Sequence, residues 1–299
     1  MTRAFVDRPL GDQVVASNAA RIAAAHWGLR SPVPMRTGMN AVFAAGTSVL
    51  RVSRPSAPGA AALALHEVLR SFGVPVTRPA RADVVTVGDV VVTCWERVDT
   101  IAEAIDWREV GDIIHRVHAL PPDALPADYP LASPRDLPWW DFPSLLTDTA
   151  DLLDAPARAG IDAAIERRAG WTGWEEDRPD LVVCHGDVHP GNVLMTVDGP
   201  VLMDWDLLSW APAGWDHAPL MTWTERWGGA PGIYETFADG YGRSFRDDPI
   251  AAGYAELRLV AATLMRLRAG RSDPAARVEA ERRLAYWRGD ARAASWTAQ

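Results

Sequence analysis

The sequence predicts an α+β chain in two lobes: a small, β-rich N-terminal lobe that carries one helix among its strands, and a larger, mainly helical C-terminal lobe. The first third reads as short strands in the order β-β-β-α-β-β, and most of the remainder has apolar residues at helical spacing. With 299 residues, 48% of them apolar, the chain is long enough for two domains. We place the first lobe at residues 1–97, with a connector near 93–98, and the second at 98–299.

The elements of the first lobe follow from apolar spacing and from glycines at turns. Residues 12–27 have helical spacing and end before Gly28, a residue typical of helix C-termini. A second helix is predicted over 60–72, ending before Gly73. The strands are predicted at 32–38, 40–46, 48–54, 83–87 and 89–98.

The second lobe is predicted to be helical apart from one polar stretch with short strands around it, Val182–Asp206. Residues 107–120 have apolar positions at i, i+3, i+4 and i+7, and a Pro-Pro pair follows them. Two helical segments lie between 143 and 168, after a loop rich in Pro and Asp. The last helices are predicted near 216–227, 231–245, 250–269 and 274–289.

Composition restricts the partners and the location. The formal net charge of −9 argues against a nucleic-acid partner, and all thirty basic residues are arginine, which excludes a Walker A loop. No apolar run approaches the roughly 18–20 residues of a membrane span, so we predict no membrane partner. Cys94 and Cys184 lie in apolar runs, which indicates buried thiols and a cytoplasmic location. We expect a monomer or a weak homodimer.

The polar stretch "VVCHGDVHPGNVLMTVDGPVLMDWD" has two ordinary interpretations. His185, Asp187 and His189 alternate and would share one face of a strand, as in a metallohydrolase site. Alternatively, "HPGN" is simply a polar turn between strands. The turn interpretation does not explain the carboxylates beside the apolar strands, because buried carboxylates are costly unless they bind something.

Phosphoryl transfer is the third interpretation. It needs an Asp to accept a hydroxyl proton, an Asn a few residues later, and an Asp on the following hairpin to hold Mg²⁺. Asp187, Asn192 five residues on, and Asp204 twelve residues beyond that supply these groups in order. Hard oxygen ligands are what Mg²⁺ prefers.

On "HGDVHPGN" followed by "VLMDWD", the chain resembles the aminoglycoside phosphotransferase family, which is related to choline kinases and has a protein-kinase-like fold. The resemblance implies an ATP- or GTP-dependent small-molecule kinase with Mg²⁺. Asp187 would be the catalytic base, His185 would brace the loop, and Asn192 and Asp204 would be metal ligands. Asp206 stands where the family often has an acidic residue, and Asp216 would stabilise the loop. His189 is expected to have no role.

The same resemblance assigns the nucleotide loop and its strand to "TGMNAVFAAGTSVLRVSRP". Gly38 would let the backbone approach the phosphates, with Asn40 at the tip. Arg51 stands in the place of the usual strand lysine and can contact phosphates through two nitrogens. Its acidic partner would be Glu67, although family members often have the glutamate two positions earlier, where this chain has Leu65. Either the helix register shifts, or Arg51 lacks the usual pairing.

The adenine is expected at the backbone of Cys94, Trp95 and Glu96, in the connector. Trp95 would cover the ring, or it would pack as an ordinary core aromatic. The resemblance implies a small-molecule hydroxyl as acceptor, on an antibiotic, an amino sugar or a related metabolite. Residues of the 133–142 loop and of the C-terminal helices would line its pocket, namely Asp136, Trp140, Asp141, Trp223, Glu225 and Glu256.

Two observations limit these expectations. The last helices alternate Arg with acidic residues rather than forming a dense acidic patch, which weakens the case for a strongly cationic aminoglycoside. The missing lysine and displaced glutamate would also suit a kinase-like nucleotide-binding protein without catalysis. The intact set of Asp187, Asn192 and Asp204 argues for an enzyme.

Overall fold

A computed structural model describes residues 10, 12–55, 58–169 and 180–297. Its elements in chain order are α1 (Gln13–His26), β1 (Val33–Thr37), β2 (Ala41–Ala45), β3 (Ser48–Ser53), α2 (Gly59–Ser71), β4 (Val85–Val87), β5 (Val90–Glu96), α3 (Trp107–His118), α4 (Phe142–Asp148), α5 (Ala155–Arg167), β6 (Leu181–Cys184), β7 (Val193–Thr196), β8 (Gly199–Leu202), β9 (Ser209–Pro212), α6 (Gly214–Met221), α7 (Trp223–Trp227), α8 (Ile233–Tyr241), α9 (Pro249–Ala269) and α10 (Pro274–Trp287).

The contacts divide the chain into two compact units. The first comprises the described residues up to 106 together with 115–132 and 192–209. The second comprises 107–114, 133–191 and the described residues from 210 onward.

The first unit is built on a five-stranded antiparallel sheet in the order β1-β2-β3-β5-β4. Alternate residues of β2 and β3 are buried, as expected of strands with one face on a core. In the central strand β3, Arg51 lies opposite Val42 of β2 and Thr93 of β5. Helix α1 contacts β3 and β5, and its buried side is formed by Ala16, Ala19, Ala20, Ala23 and Ala24.

Strands β7 and β8 form an antiparallel hairpin that also belongs to the first unit. The amide of Leu202 in β8 donates to the Pro75 carbonyl at 3.0 Å, and the amide of Ile101 donates to the Met195 carbonyl at 2.9 Å. These bonds fix the hairpin on the backbone of 75–101, so the residues at its ends have defined positions.

The second unit is organised around the 21-residue helix α9, which contacts α4, α5, α6 and α10. The approach of α6 to α9 requires a glycine, because a Cβ on Gly214 would lie 2.8 Å from the Cβ of Ala251. This contact brings the first turn of α6 against the first turn of α9. Strands β6 and β9 pair as a separate two-stranded sheet.

The predicted α+β class and the strand and helix order of the first third are confirmed. The segment predicted as one helix near 216–227 is two helices, α6 and α7, separated at Thr222. The lobe boundary predicted near residue 97 stays a prediction. Among the described helices, none is both long enough and apolar enough to cross a membrane.

Candidate active site

The two predicted metal ligands lie at the same open end of the β7–β8 hairpin. Asn192 immediately precedes β7, and its carbonyl accepts the amide of Met203 at 2.9 Å. Asp204 follows Met203, so the register of the hairpin places positions 192 and 204 beside each other. The side chain of Asp204 is 39% exposed, whereas Asn192 is buried. The hairpin therefore presents one amide and one carboxylate together, a donor set of oxygens that suits Mg²⁺.

Asp204 has a left-handed backbone, with φ 62° and ψ 65°, and is the one described non-glycine residue with a positive φ. Such a conformation is costly outside glycine and persists only where the surroundings enforce it. Here Trp205 does so: its buried indole donates to the Leu202 carbonyl at 3.3 Å, and its own carbonyl accepts from the Tyr129 hydroxyl at 2.8 Å. With Trp205 held in the core, the chain must turn sharply at Asp204.

Arg51 of β3 lies beside the same turn. Its guanidinium forms an ion pair with Asp206, and its Nη2 lies 3.9 Å from Oδ1 of Asp204. With the Asn40 amide oriented so that its oxygen faces Arg51, that oxygen accepts from Nη2 at 3.0 Å and from Nε at 3.2 Å. The structure thus brings together four of the candidate residues, Asn40, Arg51, Asp204 and Asp206, within one unit.

The structure corrects the expected pairing of Arg51 with Glu67. On α2, Leu65, His66 and Leu69 are buried. Successive residues of an α-helix are rotated by about 100°, so position 67 faces away from the core. The Glu67 carboxylate instead pairs with Arg70 on its own helix at 3.0 Å, with its side chain 60% exposed. Burial, with a smaller contribution from the charge of Arg51, lowers the pKa of His66 to about 4. Glu67 thus pairs on its own helix, and Asp206 is an acidic partner of Arg51.

The candidate adenine groups lie inside the sheet rather than at an open connector. The Cys94 carbonyl accepts from the Ala80 amide at 2.8 Å, and the Glu96 amide donates to the Arg78 carbonyl at 2.8 Å. Both groups therefore hold β5 in place, and the Cys94 side chain is buried in the core. These two groups are thus engaged in the sheet, and the position of the adenine at residues 94–96 stays a prediction.

Trp95 is part of the core of the first unit. Its indole is 8% exposed, donates to Thr93 Oγ1 at 2.9 Å, and lies 4.4 Å from the His66 ring between centroids. Packing, the second alternative, accounts for its position. Gly38 lies in the β1–β2 turn, where its amide donates to the Asn40 carbonyl at 2.9 Å and a Cβ would meet nothing within 4 Å. The space beside the Cα of Gly38 is thus open, and its role over the phosphates stays a prediction.

Replacing Arg51 tests the cluster in the first unit. Arg51→Gln removes the cation that faces two carboxylates, so we expect MgADP binding to weaken by about 10–100-fold, because charge-assisted phosphate contacts are strong. Isothermal titration calorimetry measures the change. Glu67→Gln is expected to leave the affinity within about twofold, since its carboxylate is engaged on the surface. Equal losses in the two variants would instead restore Glu67 as the partner of Arg51.

In the second unit, the loop after β6 is held by a buried carboxylate. Asp216, in the first turn of α6, accepts the amides of His185 and Gly186 at 2.7 Å each, and it is fully buried. Gly186 has a φ of 89°, a turn conformation that favours glycine. The His185 Nδ1 accepts the Asp187 amide at 3.2 Å. The roles implied by the resemblance, with Asp216 stabilising the loop and His185 bracing it, agree with these contacts.

Asp187 lies at the end of this loop with its carboxylate 33% exposed. Oδ1 lies 3.4 Å from Arg258 Nη2, and Oδ2 lies 3.4 Å from His189 Nε2. Burial alone would raise the pKa of Asp187, but His189 and Arg258 outweigh it and hold that pKa well below its usual range. The carboxylate is therefore ionised at neutral pH and available to accept a hydrogen bond.

Sequence reasoning missed two neighbours of Asp187. His189, expected to have no role, contacts Oδ2, accepts the Gly191 amide at 3.1 Å, and stacks on Trp223 with ring centroids 5.6 Å apart. Arg258 is 71 residues away on α9. No spacing in the chain links it to the loop, so only the packing of α9 identifies it.

Removal of the buried carboxylate at 216 should destabilise the protein. Asp216→Ala leaves two buried amides without their charged acceptor, so we expect a loss of about 3 kcal/mol in the free energy of unfolding. Urea denaturation followed by tryptophan fluorescence measures it. Asp162→Ala, which breaks an exposed ion pair with Arg158, should cost less than about 1 kcal/mol. Similar shifts in the two variants would contradict the anchoring role of Asp216.

The structure assigns different environments to the acceptor candidates. Asp136, Trp140 and Asp141 line one groove of about 530 Å³. The Asp141 carboxylate caps α4, accepting the Ser144 amide at 3.1 Å and its hydroxyl at 2.6 Å, and these bonds lower the pKa of Asp141. Trp140 is buried and packs on Trp215 and Phe142. The groove therefore has one carboxylate, Asp136, that is not used as a helix cap.

The other acceptor candidates lie on α7 and α9. Trp223 stacks between His189 and Trp227, with centroid distances of 5.6 and 5.4 Å. Glu225 is exposed on the same short helix. Glu256 is bound through both oxygens, to Arg167 at 2.6 Å and to Arg168 at 2.7 Å. Both oxygens of Glu256 thus already have a cationic partner, and its role at the acceptor stays a prediction.

The chain is similar in sequence to known phosphotransferases. The sequence profile of the phosphotransferase enzyme family matches residues 40–260. The chain is 31% identical over 147 residues to the aminoglycoside 3'-phosphotransferase of Streptomyces fradiae. That match covers 43% of this chain and 50% of the relative, so the chain spans about half the length of the curated relative that it matches.

Solved structures share the fold at low sequence identity. Spectinomycin phosphotransferase in complex with ADP and spectinomycin gives a TM-score of 0.67 at 15% identity, covering 92% of this chain and 95% of that one. The GDP complex of aminoglycoside 2'-phosphotransferase-IIIa gives a TM-score of 0.68 at 12% identity, covering 93% of this chain and 99% of that one. Amicoumacin kinase with AMP-PNP, Ca²⁺ and Ami gives a TM-score of 0.66 at 14% identity, covering 94% of each chain. The fold is thus the predicted protein-kinase-like one, and because the profile also matches most of the sequence, the chain belongs to the phosphotransferase enzyme family.

Proposed function

We propose that the protein is an ATP-dependent O-phosphotransferase that moves the γ-phosphate to a hydroxyl of a small molecule, with Asp187 as the base and Mg²⁺ as the metal. The observation that carries this proposal is the Asp187 loop. Asp216 fixes its backbone through two amides, while the Asp187 carboxylate is ionised and one-third exposed at its end. A fixed, charged carboxylate is what a phosphoryl acceptor needs to be aligned.

The low pKa of Asp187 limits how it acts. A carboxylate with a pKa well below the usual range is a weak base toward an alcohol, so it does not remove the proton before the reaction begins. Asp187 instead accepts a hydrogen bond from the hydroxyl and takes the proton late, as the new oxygen–phosphorus bond forms. Most of its contribution is therefore orientation.

The donor set at the hairpin end fits a hard cation. Asn192 and Asp204 would hold Mg²⁺, which when bound supplies positive charge to the phosphate oxygens. Arg51, which pairs with Asp206, would contact the nucleotide phosphates with its planar guanidinium. Structural relatives hold ADP, GDP and AMP-PNP, which supports a purine nucleotide without choosing between ATP and GTP.

The acceptor is proposed to be an antibiotic, an amino sugar or a related metabolite, because the relatives named above are kinases of spectinomycin, amicoumacin and aminoglycosides. Two of the candidate carboxylates, Asp141 and Glu256, already bind protein groups. This favours an acceptor with few positive charges over a polycationic aminoglycoside. The two buried free cysteines, Cys94 and Cys184, support a reducing compartment such as the cytoplasm.

A coupled assay of ADP release tests the reaction class. Purified protein with Mg²⁺ and either ATP or GTP is offered hydroxyl compounds spanning spectinomycin, kanamycin, macrolides, amino sugars and choline. We expect nucleotide turnover to rise with at least one acceptor and to vanish when EDTA removes the metal. Nucleotide binding without turnover for any acceptor would favour the non-catalytic alternative.

The loop geometry also bears on the metallohydrolase alternative. The Nδ1 atoms of His185 and His189 both accept backbone amides within the loop, so these rings are engaged in holding it. Stoichiometric zinc that survives dialysis would revive that alternative, whereas ATP-dependent activity in the zinc-free protein would end it.

A further inference from the structure

Arg258 is a buried cation beside Asp187 that the mechanism above does not use. It lies on α9 with its side chain 12% exposed. Its Nη2 donates to the Gly186 carbonyl at 2.7 Å and lies 3.4 Å from Asp187 Oδ1. One guanidinium nitrogen therefore reaches both the backbone and the carboxylate at the end of the loop.

Two tryptophans that stack on each other contact this guanidinium. Its central carbon lies 4.4 Å from the Trp215 ring centroid and 5.4 Å from that of Trp139, and the two rings are nearly parallel, with 15° between their planes. Cation–π contacts of this kind favour a fixed guanidinium position. The Trp215 ring belongs to the same turn of α6 as Asp216, so one helix turn positions both the loop and the arginine.

The burial of Arg258 needs a counter-charge. Within the described ranges, its Nη1 is buried and has no hydrogen-bond partner. A buried cation is costly unless it is paired, and the carboxylate it approaches is that of Asp187. Arg268 on the same helix differs: its side chain is 53% exposed, and it pairs with Asp148 at 3.8 Å. The pairing of Arg258 is thus specific to its position on α9.

We propose that Arg258 is a positioning residue for phosphoryl transfer, which holds the Asp187 carboxylate through Oδ1 in the orientation that meets the acceptor hydroxyl. This inference rests on the proposed function. The charged or titratable groups that act on Asp187 include His185 and His189 from its own loop and Arg258 from α9, and Arg258 in turn interacts with Asp216 of α6 and Cys184 of β6. Among them, Arg258 is the permanent cation.

The inference is tested by the kinetics of Arg258 variants. The rate of ADP release is measured with MgATP as the probe and water as the acceptor. Arg258→Ala is expected to lower kcat about 10–100-fold with KM for ATP within about twofold, because a misplaced carboxylate loses alignment but not nucleotide binding. Added guanidinium ion should raise the activity of Arg258→Ala by about several-fold. Arg258→Lys keeps the positive charge but not the planar guanidinium, so its kcat should fall less than that of Arg258→Ala. Arg268→Ala is the matched control and should behave as the wild type.

A second measurement does not depend on turnover. Carboxyl ¹³C NMR, with the Asp187 signal identified by its loss in Asp187→Asn, follows the ionisation of that carboxyl with pH. In the wild type Asp187 should stay ionised to the lowest pH at which the protein remains folded. In Arg258→Ala the loss of a cation favours the protonated form, so protonation should move to higher pH and occur within the folded range.

Two results would overturn the inference. One is unchanged Asp187 ionisation together with activity within twofold of the wild type. The other is activity that falls only with the folded fraction measured by circular dichroism, without a change in Asp187 ionisation and without guanidinium rescue. If the wild type releases no ADP with water or with any acceptor of the hydroxyl panel, the proposed function fails, and the NMR measurement still decides the role of Arg258.

Discussion

Replacing Asp187 with asparagine is expected to lower kcat by about a thousandfold while leaving the affinity for MgATP within about twofold. Asparagine has nearly the same shape, so the loop held by Asp216 and His185 should keep its backbone. The side chain can no longer accept the hydroxyl proton, and its amide nitrogen would repel a donor if it faced the acceptor. Steady-state kinetics on an acceptor from the hydroxyl panel, with calorimetry for MgATP, separates the two effects.

Asp198→Asn provides the matched control for this variant. Asp198 lies in the turn of the β7–β8 hairpin and is exposed, so the same chemical change should leave both kcat and MgATP affinity unchanged. Full activity in Asp187→Asn would remove Asp187 from the chemistry. A parallel loss of nucleotide binding would instead show that the variant disturbs the hairpin that follows the loop.

Replacing Asp204 with asparagine is expected to abolish the dependence of nucleotide affinity on Mg²⁺ and to lower kcat by about 100–1000-fold. The left-handed backbone at this position tolerates asparagine better than most residues, so the turn around Trp205 should survive. What changes is one formal charge among the oxygen donors. ADP titrations with and without Mg²⁺ measure the dependence directly.

Asp206→Asn distinguishes the two carboxylates that flank Trp205. Asp206 pairs with Arg51 and is 14% exposed, whereas Asp204 is 39% exposed. We therefore expect Asp206→Asn to weaken nucleotide binding through Arg51 while keeping its Mg²⁺ dependence. Loss of the Mg²⁺ dependence in Asp206→Asn, with Asp204→Asn unaffected, would reverse the assignment of the metal ligand.

The sequence is sufficient for the parts of the site that are local in the chain. Asp187, Asn192 and Asp204 fall within eighteen residues, and short strands with clear turns separate them. Residue order therefore fixes the relation of Asn192 and Asp204 to the β7–β8 hairpin before any tertiary packing is known. The same holds for the first unit, where alternating burial in β2 and β3 follows directly from the apolar pattern.

The parts that could not be predicted depend on helix rotation or on distant packing. Whether residue 66 or 67 of α2 faces the sheet is a difference of about 100°, and only the packing of Leu65 and Leu69 decides it. Arg258 is one of the thirty arginines in the chain. It lies on a helix whose apolar pattern is that of an ordinary core helix. Its role emerges from α6–α9 packing, which depends on the small residues Gly214 and Ala251.

Direct detection of the phosphorylated product tests the central claim of Asp187-dependent phosphoryl transfer. Mass spectrometry of the acceptor, after incubation with MgATP and either the wild type or Asp187→Asn, reports whether a phosphoryl group has been transferred. We expect the wild type to add one phosphoryl group to an acceptor hydroxyl and the Asp187→Asn variant to leave the acceptor unchanged over the same time. Equal phosphorylation by both proteins, or ATP binding without any phosphorylated acceptor, would contradict the claim.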